Sequence, residues 1–189
     1  MEKQHHYFIA VKLTDEAKQF LHDWVEKNVR TFPFRRWVHK EDYHITLAFL
    51  GYVEKNQLNK TAEMLREVTK GEHSFPLTFK GVGTFGAKAS PRIFWADVFP
   101  SEPLIEMQRK VADLCKLCGH RSDGKPFRPH ITLARKWSGT QSFTQKSINE
   151  IRTEKGGFFT FSVTEIVLYE THFERSPKYK PLHTFPLRV

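Results

Sequence analysis

One pentapeptide occurs twice in this chain of 189 residues. His44-Ile45-Thr46-Leu47-Ala48 returns unchanged as His130-Ile131-Thr132-Leu133-Ala134, 86 positions later. That spacing is too long for a stacked solenoid repeat. It fits two lobes of similar build, each donating one copy. Both copies read as strands, and in a strand alternate side chains share a face. His44 and Thr46 therefore point one way, while Ile45 and Leu47 point the other. His130 and Thr132 repeat this against Ile131 and Leu133. Two such strands facing each other make a pocket with two imidazoles, two hydroxyls and an apolar backing.

The rest of the chain supplies the scaffold. Residues 7–13 read as a buried strand. Thr14 then caps a helix, with Asp15 and Glu16 where the helix dipole favours negative charge. Ala17, Phe20, Leu21, Trp24 and Val25 follow at helical spacing. A short strand is expected at 36–38, a strong one at 43–52 and a helix at 56–69, with Leu58, Ala62, Leu65 and Val68 on its stripe. Strands follow at 75–85 and 92–99, joined by residues 86–91. Ser101 caps the next helix, with Pro103 near its start, where a missing N–H costs little. Leu104, Ile105, Gln108, Val111, Ala112 and Cys115 are its expected inward side, and Gly119 its stop. Residues 122–129 form a basic loop, 130–134 a strand and 144–152 a short helix. Closing strands are expected at 158–163, 165–170 and 184–189. With 17 phenylalanines, much of the core should be Phe-built.

The paired motifs match the needs of phosphodiester hydrolysis. A base must take a proton from water, and an acid must protonate the leaving alkoxide. Histidine, with an ordinary pKa near ~6.5, serves either role near neutral pH. Thr46 and Thr132 can donate hydrogen bonds to non-bridging phosphate oxygens. Arg135, directly after the second copy, offers a planar bidentate phosphate contact. Strict alternation, however, puts Arg135 on the face opposite His130, so it reaches the cleft only where the strand bends or ends at Ala134. A metal site is not expected, because each motif offers one good ligand and no Cys, Asp or Glu is repeated with it. The net charge of +9 favours a polyanionic partner such as nucleic acid or nucleotide.

At these residues the sequence resembles the two-histidine (2H) phosphoesterase superfamily, defined by paired His-x-Thr-x motifs. It is most similar to the bacterial RNA 2′,3′-cyclic phosphodiesterase branch, historically labelled 2′-5′ RNA ligase. The strings that carry the likeness are YFIAVKL at 7–13, YHITLAFLG at 43–51, GVGTFG and PRIFWADV within 81–98, and FRPHITLAR at 127–135. The resemblance implies one bilobal α+β domain over residues 1–189. Antiparallel sheets from pseudo-two-fold lobes would flank a central cleft, with helices outside. It implies opening of a 2′,3′-cyclic phosphate at an RNA 3′ end to leave a 2′-phosphate, without cofactor or metal. His44 would be the proton donor and His130 the acceptor, with Thr46, Thr132 and Arg135 on the phosphate. Three alternatives stay open: a small cyclic nucleotide or 2′-5′ oligonucleotide as substrate, 2′-5′ ligation, and a non-catalytic RNA-binding module. RNA ends or nucleotides are the expected partners, with a monomer and no obligate protein partner.

Other features carry less. Gly81-Val82-Gly83-Thr84-Phe85-Gly86 satisfies G-x-G-x-x-G, but a dinucleotide fingerprint must open a helix, and here a second strand follows. Trp37, Phe49 and Trp95 could stack a nucleobase, though core packing is the expected role of each. His5, His6, His39, His73, His120, His172 and His183 lack repeated context and default to surface or core. Arg35, Arg36 and the basic residues 121–128 are a candidate RNA-steering surface. Cys115 and Cys118 have no second pair to complete a zinc site. Two cysteines, no signal-peptide pattern and no apolar run of ~18 residues fit a cytoplasmic protein outside the membrane.

Overall fold

The computed structural model describes residues 5–121, 124–144 and 150–189. The elements run β1 (His6–Lys12), α1 (Asp15–Asn28), β2 (Phe34–Trp37), a 3-10 turn (Lys40–Asp42), β3 (His44–Tyr52), α2 (Lys55–Thr69), β4 (Phe75–Ala87), β5 (Ser90–Val98), α3 (Glu102–Leu117), β6 (Ile131–Trp137), β7 (Thr160–Val163), β8 (Glu165–Thr171) and β9 (Tyr179–Pro186). The strands form two antiparallel sheets, ordered β3-β1-β8-β9 and β2-β6-β5-β4-β7. This is the α+β class, with one motif strand in each sheet. Among the described residues no helix is long and apolar enough to cross a membrane.

Local chemistry explains the helix ends. The Thr14 hydroxyl accepts from the Ala17 N–H at 3.2 Å, satisfying one of the orphan donors of α1. Ser101 does the same for Leu104 at 3.4 Å. At the end of α3, Gly119 takes φ +82°, its N–H reaches Lys116 O and the His120 N–H reaches Cys115 O. That double closure needs a left-handed residue, which glycine supplies without a Cβ clash. The buried side of α3 is Leu104, Met107, Val111, Leu114 and Cys115. Ile105, expected inside, is exposed, because the stripe follows the 104-107-111-114 row.

A single apolar cluster unites both sheets with the helices, and Phe32, Phe34, Phe75, Phe79, Phe94, Phe143, Phe161 and Phe185 belong to it. Ile45, Ile131 and Leu133 are fully buried there and Leu47 nearly so, as the apolar side of each motif requires. A second, smaller cluster of Phe8, Ala10, Val167 and Tyr169 lies apart from it. Strand β1 alternates between the two, so both of its faces are covered. That explains its unbroken run of buried residues.

Several boundaries differ from expectation. The link at 86–91 is mostly strand: Ala87 pairs with Ser90 and Gly86 with Pro91, leaving Lys88 and Ala89 to turn. The last strand begins at Tyr179, because pairing with β8 organises residues whose own pattern is weak. Most of the helix expected at 144–152 falls at 145–149, outside the described residues. Glu150 bridges Gly81, and the Ile151 N–H donates to Lys80 O, so residues 150–151 run beside β4.

Candidate active site

Each motif strand carries an extra residue at the same place. Against β1, Ala10 pairs with Thr46 but Ile9 pairs with Ala48, so Leu47 is a bulge. Against β5, Trp95 pairs with Thr132 but Phe94 pairs with Ala134, so Leu133 is a bulge. A bulge sets two residues opposite one and shifts the side-chain parity beyond it. The carbonyls it displaces are satisfied, Leu133 O by the Val38 N–H and Leu47 O by the Gln108 side chain.

This parity shift resolves the difficulty with Arg135. Leu133 and Ala134 are buried in succession, and Arg135 emerges on the side of His130 and Thr132. There its charge disfavours protonation of both His44 and His130. Its charge also favours ionisation of the Tyr179 hydroxyl, against the burial that raises it. The same shift in β3 brings out Phe49, which is 61% exposed and pairs with Phe8. Phe49 is therefore not a core residue, unlike Trp37, which packs against the large cluster.

The two imidazoles are held by one backbone device. His44 Nδ1 lies 2.7 Å from Asp42 O, and His130 Nδ1 lies 2.7 Å from Arg128 O. A carbonyl only accepts, so both rings carry the proton on Nδ1 when neutral and keep a lone pair on Nε2. Thr46 Oγ1 sits 3.0 Å from His44 Nε2 and donates to it in that state. The Asp42 carboxylate accepts the N–H groups of Lys178 and Tyr179 at 2.9–3.0 Å, which fixes the carbonyl that orients His44.

The walls differ. Phe8 lies 4.7 Å from the His44 ring, with Tyr179 at 5.1 Å and Tyr169 at 6.1 Å between ring centres. His130 meets Phe85 edge-on at 4.9 Å and Trp95 at 6.0 Å. Trp95 lies so close over Gly83 that a Cβ there would stand 2.3 Å from its ring. The second glycine of the G-x-G-x-x-G string thus belongs to a strand beneath an aromatic wall, not to a phosphate loop. Burial pushes the His44 pKa down to about 4, with His130 and Arg135 adding repulsion and the Asp42 bond opposing it. His130 is lowered chiefly by burial and then by Arg135, against the Arg128 bond. Burial raises the Tyr179 hydroxyl.

The sequence reading missed Asp42, Tyr169 and Tyr179. Asp42 was legible as the polar residue two before the first His, matching Arg128 two before the second. The tyrosines carried no local signal, because β8 and β9 reach the site only through sheet pairing.

Comparison with known proteins follows the same lines. Residues 11–174 match the family model described as the 2′-5′ RNA ligase superfamily. The RNA 2′,3′-cyclic phosphodiesterase of Geobacillus stearothermophilus is 44% identical over 98% of this chain, which spans 58% of that protein's length. The Bacillus subtilis protein of the same name is 29% identical over 96% of both chains. The crystal structure of Escherichia coli LigT complexed with 3′-AMP superposes with a TM-score of 0.79 at 24% identity, covering 99% of this chain and 100% of that one, which establishes likeness of fold. With paired bulged motifs and a family match over most of its length, the chain belongs to the 2′-5′ RNA ligase superfamily.

Proposed function

We propose that the cleft opens the 2′,3′-cyclic phosphate of an RNA 3′ end to a 2′-phosphate, using the two histidines as acid and base. The observation that carries this reading is the matched tautomer: both Nε2 atoms are left as the proton-transferring positions. Relatives named for this activity cover nearly the whole chain and support it. The protein is thus a phosphodiester hydrolase, and RNA its substrate class. Because the site draws its groups from both sheets, residues 1–189 act as one bilobal domain.

His130 Nε2 takes a proton from water, which attacks phosphorus. His44, protonated at Nε2, gives its proton to the departing 3′ oxygen. The free cleft disfavours that proton, since His44 sits at about 4. An anionic phosphodiester offsets the repulsion from Arg135 and raises it again. Protonation of His44 at Nε2 also ends its acceptance from Thr46, and the freed hydroxyl proton turns to a phosphate oxygen. Thr132, on the His130 face, offers a second such donor. Arg135 balances charge on the phosphate. Phe49 presents an aromatic surface for the attached base. The acid, base and charge balance all come from side chains, so turnover needs no metal.

The test is an RNA oligonucleotide ending in a 2′,3′-cyclic phosphate. A 2′-phosphate product, formed equally after EDTA treatment, is the expected result. A 3′-phosphate product or complete dependence on added metal would overturn the assignment.

A further inference from the structure

Outside the cleft, a second group of chemistry-bearing side chains gathers where β1 begins and β8 ends. His6 pairs with Thr171 and Tyr7 with Glu170 in antiparallel register. That register carries His5, just before β1, across to His172, just after β8. One donor atom each from His5, Glu170 and His172 lies within 4.8 Å of the other two. The imidazole centres of His5 and His172 are 4.5 Å apart. His172 Nε2 stands 3.0 Å from Glu170 Oε2, and His172 is only 8% exposed.

The second partners of these groups separate this cluster from a simple ion pair. His5 Nδ1 is 3.1 Å from Thr171 O, so it carries the proton and leaves the lone pair on Nε2. The other oxygen of Glu170 accepts from the Tyr7 hydroxyl at 3.4 Å. His172 Nδ1 lies 3.7 Å from the Glu174 carboxylate. All three potential donors therefore have an orienting neighbour on the side away from the cluster. Ligating groups are held in this manner, with a carboxylate or carbonyl behind each imidazole and a hydrogen-bond donor behind the carboxylate.

We propose that His5, Glu170 and His172 form a site for a zinc-class transition-metal ion. Two imidazoles and one carboxylate suit zinc and its neighbours, whereas calcium and magnesium favour all-oxygen sets. With metal bonds of ~2.0–2.1 Å, tetrahedral donors stand about 3.4 Å apart, so the widest separation closes by about 1.4 Å through ring rotation. A water fills the fourth position. The ion fastens the start of β1 to the hairpin between β8 and β9. The backbone of that hairpin continues to the catalytic region: the His172 N–H donates to Lys178 O, and the N–H groups of Lys178 and Tyr179 hold Asp42. The family match begins at residue 11, so His5 lies outside it. The role is structural, and the proposal does not depend on the acid–base reading of the cleft.

The experiment uses the untagged full chain, stripped with chelator and titrated with Co²⁺ and Zn²⁺. Wild type is expected to bind one equivalent, with the visible absorption of tetrahedral cobalt, and to melt at a higher temperature with Zn²⁺. His5→Gln and His172→Gln should each weaken binding at least ~10-fold, the lower bound for loss of even an outer partner. Both should lose the Zn²⁺-dependent rise in Tm. Should His172→Gln fail to fold, His5→Gln, ahead of the first strand, carries the test alone. The double variant His44→Asn/His130→Asn should bind metal like wild type. Absence of saturable binding, binding unchanged in His5→Gln and His172→Gln, or binding abolished by the catalytic double variant would each overturn the proposal.

Discussion

The two copies of the motif are the same device in unlike surroundings. In both, the His leads, its Nδ1 donates to the carbonyl two residues back, and a leucine bulge follows the Thr. They part at the first residue the bulge returns to the cleft face. In β6 that residue is Arg135, and in β3 it is Phe49. One lobe thus adds a charge to that face, and the other adds an aromatic surface. Their positions differ as well: β3 is an edge strand, while β6 lies between β2 and β5. His44 is walled by Phe8, Tyr169 and Tyr179 and falls to about 4, while His130 meets fewer rings. A repeat provides symmetric machinery, and its environment gives the copies different neighbours and different burial.

The comparison breaks most visibly if one histidine is dispensable. His44→Ala and His130→Ala should each lower kcat on a cyclic-phosphate RNA end by ~10²–10⁴-fold, the usual worth of one proton transfer. Near-wild-type turnover by either variant ends the acid–base reading. Next comes Arg135→Ala. Loss of a charge-assisted contact worth ~1.5–3 kcal/mol predicts a fall in kcat/KM of about 10- to 150-fold. The fall should be of similar size on RNA and on a small phosphodiester without a base. A third effect sharpens the contrast. Phe49→Ala should raise KM for the RNA end by roughly 5- to 150-fold, as stacking is worth ~1–3 kcal/mol per base. It should leave the baseless substrate almost untouched, and equal losses on both would remove the recognition role.

The smallest effect concerns pH. The acid works below its pKa and the base above its own. In the free enzyme His44 sits at about 4 and His130 is lowered from 6.5, so the bell in kcat/KM should lie on the acidic side of neutrality. Bound phosphate favours the charged imidazoles, so the bell in kcat should move to higher pH. A kcat/KM profile with both limbs above 7 contradicts the burial that distinguishes His44 from His130.

Much of the fold was legible because its signals are local. The caps at Thr14 and Ser101, the stop at Gly119 and the apolar side of each motif follow from neighbours within four residues. The start of β9 and the exposure of Ile105 were not, since each depends on what another element presents. The site divides in the same way. Alternation alone placed His with Thr, but it put Arg135 on the wrong face and left Phe49 to the core.

The sequence by itself determined that two strands of identical make each offer an imidazole and a hydroxyl over an apolar backing, because alternation and burial are written in the pentapeptide. Tertiary structure decided which residue follows them into the cleft. A bulge exists only relative to a partner strand, and the register of β6 on β5 and of β3 on β1 is a long-range property. It likewise decided that Tyr169 and Tyr179 wall His44 and that the backbone at 178–179 holds Asp42, for these meet only when β8 pairs with β1 and β9 with β8.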